Sequence, residues 1–293
     1  MATKPVVVGV DGSEESLLAA EWAAMEAHRH GLPLRIVSAP AVVPRIHSSQ
    51  ISASVLRDAS ARALRTAVTR AEEVAPGLVI VTDLLSGPPA LAVAGSGSGA
   101  AVLVVGARGA GGFAAMILGS VSRYAALRAT CPVIMIRRAS MAVHQEVAVG
   151  VRDPGDATEA LTYAFEQATV RHADLVAVHA WYWFPSALRA PADQDAMDTR
   201  FHPERISDEA SRSLSASLNR WREKYPDVRV RHDVIHGHPA RVLANYSARA
   251  DLTVIARHGS PGIGSIQHAL LDHARGPVAI VPVGDLFISP SPR

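Results

Sequence analysis

The run GARGAGGFAAMILGSVS, from Gly106 to Ser122, places Gly106, Gly109, Gly119 and Ser120 in the spacing G-x2-G-x9-G-S. Such a loop could cradle an anion. Glycines let backbone approach a ligand closely and adopt positive φ, and a helix opened by Ser120, Val121 and Ser122 would present N–H donors and the positive end of its dipole. Gly111 and Gly112 add freedom between the fixed points. The spacing is neither G-x4-G-K-[ST] nor G-x-G-x-x-G, so P-loop chemistry does not transfer to it. Glycines that merely turn the chain from strand to helix are the competing reading. Two charged residues lie at candidate contact positions. Asp11, in VGVDGS, could meet a ligand or simply open a helix, and Arg108 could touch phosphate or stand as an exposed loop arginine.

Histidine supplies the other candidate chemistry. His236 and His238 leave one strand-like run, His258 leaves the next, and His268 and His273 fall on the last helical pattern. Imidazoles at strand ends could bind a metal, but no carboxylate or cysteine is placed to complete a site, and exposed or capping histidines are the simpler expectation. The aromatic run Trp181-Tyr182-Trp183-Phe184 could wall a flat ligand or pack under a loop. No Ser-His-Asp constellation is evident, so no catalytic or metal-binding residue is assigned.

The elements that must position these residues are written twice. VVVGV at Val6 recurs as VAVGV at Val147, and LRIVSA, ending at Ala39, lies opposite VAVHA, ending at Ala180; both are offset by 141 residues. DLLSG at Asp83 recurs as DVIHG at Asp233, offset by 150, and CPVIMI at Cys131 recurs as GPVAIV at Gly276, offset by 145. Near-constant offsets imply a duplication. Each half alternates β-branched runs with helical patterns, which argues for a parallel sheet covered on both faces. In the first half, strands are expected near Val6 to Val10, Leu34 to Ser38, Val79 to Thr82, Val102 to Val105 and Val133 to Ile136. Ser13 is offered as a helix N-cap. A long helix is expected to bury Val55, Ala59, Ala63, Ala67, Ala71 and Val74 on one face and to stop at Pro76-Gly77. A polar linker near Arg138 to His144 separates the halves and should hold them together as a pseudo-dimer.

The VGVDGS opening, the GARG loop, the LGSVS helix start and the CPV strand start occur in order and at domain-scale spacing. Together they resemble the universal stress protein family over nearly the whole chain, in tandem form. The resemblance implies two tandem α/β, Rossmann-like domains (adenine nucleotide alpha hydrolase-like), at 1–140 and 144–285. Each would have a five-stranded parallel sheet of order 3-2-1-4-5 with helices on both faces. It further implies an ATP-binding branch and homodimerisation through the last strand. Carried onto this sequence, Gly9 and Asp11 would border the nucleoside, and the backbone near Ala39 would meet adenine. Gly106, Gly109, Gly119 and Ser120 would hold the phosphates, with Arg108, Gly112, Val121 and Ser122 beside them and Mg as an optional companion ion. The expected role is stress-response regulation through nucleotide-dependent conformation or an unidentified protein partner. A slow ATP hydrolase and a scaffold that binds no nucleotide are the alternatives.

The second half departs from the pattern. Arg152 stands where the first half has Asp11, Ala256 replaces Gly106, and only four residues separate Gly259 from Gly264, so this half is expected to have lost ATP. Composition bounds the rest. The 293 residues give room for two domains, 48% are hydrophobic and 19% charged, and no apolar run is long enough to span a bilayer. The start enters a strand-like run directly, so no secretory leader and a cytoplasmic location are expected. Net charge is +2 with scattered Lys and Arg, which does not suggest nucleic acid. Cys131, the single cysteine, permits no internal disulfide, and its counterpart Gly276 suggests a small packed residue rather than a nucleophile.

Overall fold

Valine on both sides of a strand requires cover on both sides, and β1 (Val6–Gly9) shows how the chain supplies it. Val6 and Val8 face a layer containing α1 (Glu14–His30) and α2 (Ala53–Val74), whereas Val7 faces the opposite layer with α3 (Pro89–Ser96) and α4 (Ser120–Arg128). The computed structural model describes residues 3–40, 53–109, 118–137, 143–153, 157–182, 203–257 and 265–284. In the first half, β2 (Leu34–Ser38), β3 (Ile80–Leu84), β4 (Val102–Gly106) and β5 (Val133–Ile136) complete a parallel sheet of order 3-2-1-4-5. The second half repeats it. Here β6 (Glu146–Gly150), β7 (Asp174–Trp181), β8 (Val230–His236), β9 (Leu252–Arg257) and β10 (Val278–Pro282) alternate with α5 (Thr158–Arg171), α6 (Pro203–Lys224), α7 (Pro239–Ser247) and α8 (Ser265–His273).

The two sheets are one. β5 and β10 pair antiparallel, with Met135 opposite Val278 and Val133 opposite Ile280, giving a ten-stranded sheet of order β3-β2-β1-β4-β5-β10-β9-β6-β7-β8. Each of the two core layers therefore runs across both halves. The expected pseudo-dimer is present. It occupies the strand to which the family resemblance assigns dimerisation, so a dimer of whole chains would need another surface.

Local signals account for the element ends. Ser13 Oγ accepts the Ser16 N–H at 3.3 Å at the start of α1, Glu14 and Glu15 stand at its positive end, and Gly31 closes it with φ of 62°. α2 stops at Val74, and Gly77 follows with φ of +80°. The face of α2 needs correction: Ser60, Ala63, Leu64, Ala67 and Ala71 are buried, while Val55, Ala59 and Val74 are exposed. Cys131 packs against Gly97 and Leu103 in the α3–α4 layer and is 5% exposed. Burial pushes its thiol up to about 12. Thiol reagents should label the native protein far more slowly than the unfolded chain, a difference that Ellman's assay reads directly.

Candidate nucleotide cleft

β1 and β4 lie side by side, yet their connections leave in opposite directions, toward β2 on one side and β5 on the other. Their carboxyl ends thus flank a crevice of the kind in which open α/β sheets bind ligands. A cavity of about 300 Å³ lies there. It is at the lower end of small-molecule sites, which run from about 300 to 1,000 Å³.

Ten of the eleven residues expected from the sequence line it: Gly9, Asp11, Ala39, Gly106, Arg108, Gly109, Gly119, Ser120, Val121 and Ser122. Gly112 lies outside the described residues. The site has an apolar end and a polar end. Val10, Ala39, Pro89, Val93 and Val105 form the former, and the glycines with the first turn of α4 form the latter. Gly119 is the α4 N-cap, with φ of −70°, and no side chain caps the turn. Its own N–H donates to the Ala107 carbonyl at 2.8 Å, which ties the helix start to the end of β4. The N–H groups of Ser120, Val121 and Ser122 occupy the first-turn positions that normally seek an external acceptor.

Two side chains do something different from their sequence reading. Ser122 donates its hydroxyl to the Gly106 carbonyl at 2.6 Å, so the hydroxyl braces the loop rather than facing a ligand. Arg108 is clamped: Nη2 lies 2.9 Å and Nε 3.0 Å from Glu15 Oε1, while its backbone N–H donates to Glu15 Oε2 at 2.7 Å. Glu15, in the first turn of α1, therefore holds the loop after β4 against α1. Gly106 serves the same junction, because a Cβ there would stand 2.9 Å from the Glu15 carbonyl atoms. We expect Gly106→Ala to push α1 off the sheet and to lower stability by about 1–3 kcal/mol, as overpacking does. Urea unfolding checks this; an unchanged midpoint would contradict it.

Asp11 lies on the exposed rim. Its Oδ1 accepts the Ser13 N–H at 3.0 Å and the Ser13 hydroxyl at 2.6 Å, so it shapes the turn into α1. Its Oδ2 faces Gly109, where a Cβ would run into it. Asp11 thus shapes the entry to the helix and also borders the cleft.

The second half keeps an equivalent cavity of about 260 Å³, bounded by Gly150, Ala180 and Pro239 where the first has Gly9, Ala39 and Pro89, and by Val178 besides. Its polar end is rebuilt. Arg152 stands for Asp11, Ala157 for Ser16 and Ala256 for Gly106, and Gln267 replaces Ser122, donating its amide to the Ala256 carbonyl at 2.7 Å. Gln267 preserves the brace with a longer side chain that lines the cavity. Gly259, Gly264 and His258 lie outside the described residues, as do Trp183 and Phe184. Trp181 belongs to β7 itself and packs against His236 with ring centroids 4.5 Å apart and planes tilted by 44°, and Tyr182 contacts both His236 and His238. His268 pairs at 3.9 Å with Asp272 one turn on. Among the described residues no cluster of three metal-ligating side chains forms, and no helix is long and apolar enough to cross a membrane.

A doubly wound sheet with a glycine-lined crevice at its switch point defines a Rossmann-like α/β protein. The model of the universal stress protein family matches residues 2–137 and again 144–282. The chain belongs to the universal stress protein family, in tandem-domain form. A universal stress protein of Mycobacterium tuberculosis is 33% identical over 291 residues, covering 94% of this chain and 96% of the relative. The crystal structure of a universal stress protein from Archaeoglobus fulgidus superposes with a TM-score of 0.65 at 17% identity, covering 96% of this chain and 97% of the other. A further Archaeoglobus fulgidus member, solved in complex with dAMP, aligns at 26% identity with 47% of this chain and all of its own length, with a TM-score of 0.36.

Proposed function

We propose that the first half binds ATP, once per chain, and that the bound nucleotide sets the conformation or partner surface through which the protein acts in a stress response. The observation that carries this reading is the division of the cleft. An uncapped helix start beside Gly106 and Gly109 suits phosphates, and the apolar pocket of Ala39, Pro89 and Val93 suits a flat base. Asp11 lies on the rim beside Gly109, within the cleft lining, where a ribose or a divalent ion accompanying the phosphates would meet a carboxylate.

The same geometry favours holding nucleotide over turning it over. Arg108 is committed to Glu15 and the Ser122 hydroxyl to Gly106, so the polar end offers chiefly backbone N–H donors. Backbone donors bind and orient phosphate but carry no proton to or from it. In the second half Ala256, Arg152 and Gln267 alter the polar end, which is why a single site is proposed.

The test is to extract and identify the nucleotide that copurifies with the protein, and then to compare thermal stabilisation by ATP, ADP and AMP. At a ligand concentration about 100 times Kd, stabilisation of about 2.7 kcal/mol is expected for ATP. No adenine absorbance and no stabilisation by any nucleotide would favour a scaffold that binds none.

A further inference from the structure

The halves meet through α1 and α5 as well as through β5 and β10. At that contact four polar side chains are brought together, Glu26 and Arg171 buried and His30 partly exposed. Arg171 Nη2 donates to Glu26 Oε2 at 2.7 Å, and His30 Nε2 lies 3.1 Å from Glu26 Oε1. Gln167 Nε2 lies 3.3 Å from His30 Nε2, and the Gln167 carbonyl oxygen accepts a bond from Arg171 Nη1. Glu26 is fully buried, and the Arg171 side chain is 5% exposed with its guanidinium over the Trp22 ring.

These four residues are two positions, each used twice. At the repeat offset of 141, Glu26 corresponds to Gln167 and His30 to Arg171. The contact of Glu26 with Arg171 is therefore the pseudo-symmetric mate of the contact of Gln167 with His30, and only one of the two carries a permanent charge pair. Like halves could not reproduce this. Two second halves would set Gln167 against Arg171 twice, burying two guanidinium charges with no carboxylate. Two first halves would set Glu26 against His30 twice, burying two carboxylates whose partner across the seam is only conditionally charged and whose one permanent cation is the partly exposed Arg29 of the same helix, at 3.7 Å. A buried charge without a partner is strongly unfavourable, and such polar positions are among the best-attested devices for fixing register and partner.

The opposite layer also crosses the seam with cations. Arg257, at the end of β9, donates to the Ala126 and Ala129 carbonyls at the end of α4, at 2.9 and 2.8 Å. Arg137, just after β5, donates to the Leu271 carbonyl near the end of α8. Each half thus supplies an arginine to the negative end of the other half's last helix.

From the four-residue cluster we infer that positions 26, 30, 167 and 171 form a mating code, which selects the unlike half as partner and makes the chain close on itself instead of pairing like with like across chains. The surface on α1 fits one kind of partner, a family-type domain with Gln and Arg at the two positions corresponding to 167 and 171.

Two variants of the full chain test the code. Glu26→Gln with His30→Arg gives both helices the same Gln and Arg set, so the carboxylate is lost and two cations face each other's amides. Adding Gln167→Glu and Arg171→His exchanges the two sets and restores one charge pair across the same seam. The first variant should unfold at a lower urea midpoint in separated steps, or fail to fold. The fourfold exchange should recover a single transition and at least half of the lost midpoint, with sedimentation matching that of the parent chain. A first variant that unfolds in one step at the parent midpoint would overturn the inference, as would a fourfold exchange no better than the first variant.

Discussion

Gly119→Glu should abolish most ATP affinity while leaving the fold intact. A Cβ at Gly119 would lie 3.4 to 3.6 Å from Ala107 O, Arg108 Cα and Gly109 N, ordinary contact distances, and φ of −70° suits any residue. The backbone need not move. The new carboxylate would stand at the N-cap of α4, where it satisfies the same N–H groups and the same dipole end that phosphate would use. Losing even one charged hydrogen bond of about 1.5–3 kcal/mol lowers affinity by roughly tenfold to a hundredfold, and competition at the helix start should bring the loss to the upper end. Asp11→Ala should weaken binding less, because its Oδ1 is also engaged in the turn to Ser13. Arg152→Ala, in the second cleft, should leave ATP affinity unchanged. Titration calorimetry with circular dichroism as the fold control distinguishes these outcomes.

Glu26→Gln should destabilise the chain more than Gly106→Ala does. Burial alone would raise the Glu26 pKa, but the charge of Arg171 and the hydrogen bonds from His30 and Arg171 outweigh it and hold the carboxyl well below its ordinary 4.5. Removing the charge leaves Arg171 buried without its counter-ion, for which a cost of about 3–5 kcal/mol is expected. Replacing both residues by Met should be much milder, since neither charge is then stranded. The pH dependence follows from the depressed value. The carboxylate's contribution is fully present above about 4.5, where the unfolded group is already ionised, and is lost as pH falls below that toward the folded pKa. Urea midpoints of the parent chain and Glu26→Gln should therefore differ at neutral pH and converge as pH falls below 4.5. Midpoints that differ equally at both would contradict the assignment.

The strands and the cleft are legible in the sequence for physical reasons. A strand covered on both faces must be apolar at successive residues, so Val6-Val7-Val8 and Val102-Leu103-Val104-Val105 stand out without alternation. The cleft glycines are legible because close backbone approach leaves a residue-type signature at fixed spacing. What stays hidden depends on long-range pairing. Glu15 meets Arg108 across 93 residues and Glu26 meets Arg171 across 145, and no local spacing announces either contact. The buried face of α2 is hard to read because its alanines point in every direction: Ala59 is exposed and Ala63 is buried, one turn apart. Ser60 and Leu64 complete the buried stripe instead. The apolar end of the cleft escapes the sequence because Val10, Val93 and Val105 read simply as core.

One ATP site per chain, located in the first half, is the central claim, and its most direct test is the stoichiometry of ATP binding to the nucleotide-stripped full chain by titration calorimetry. One ATP per chain is expected, with the heat signal lost in Gly119→Glu and retained in Arg152→Ala. Two equivalent sites per chain, or a single site that survives Gly119→Glu and disappears in Arg152→Ala, would contradict it.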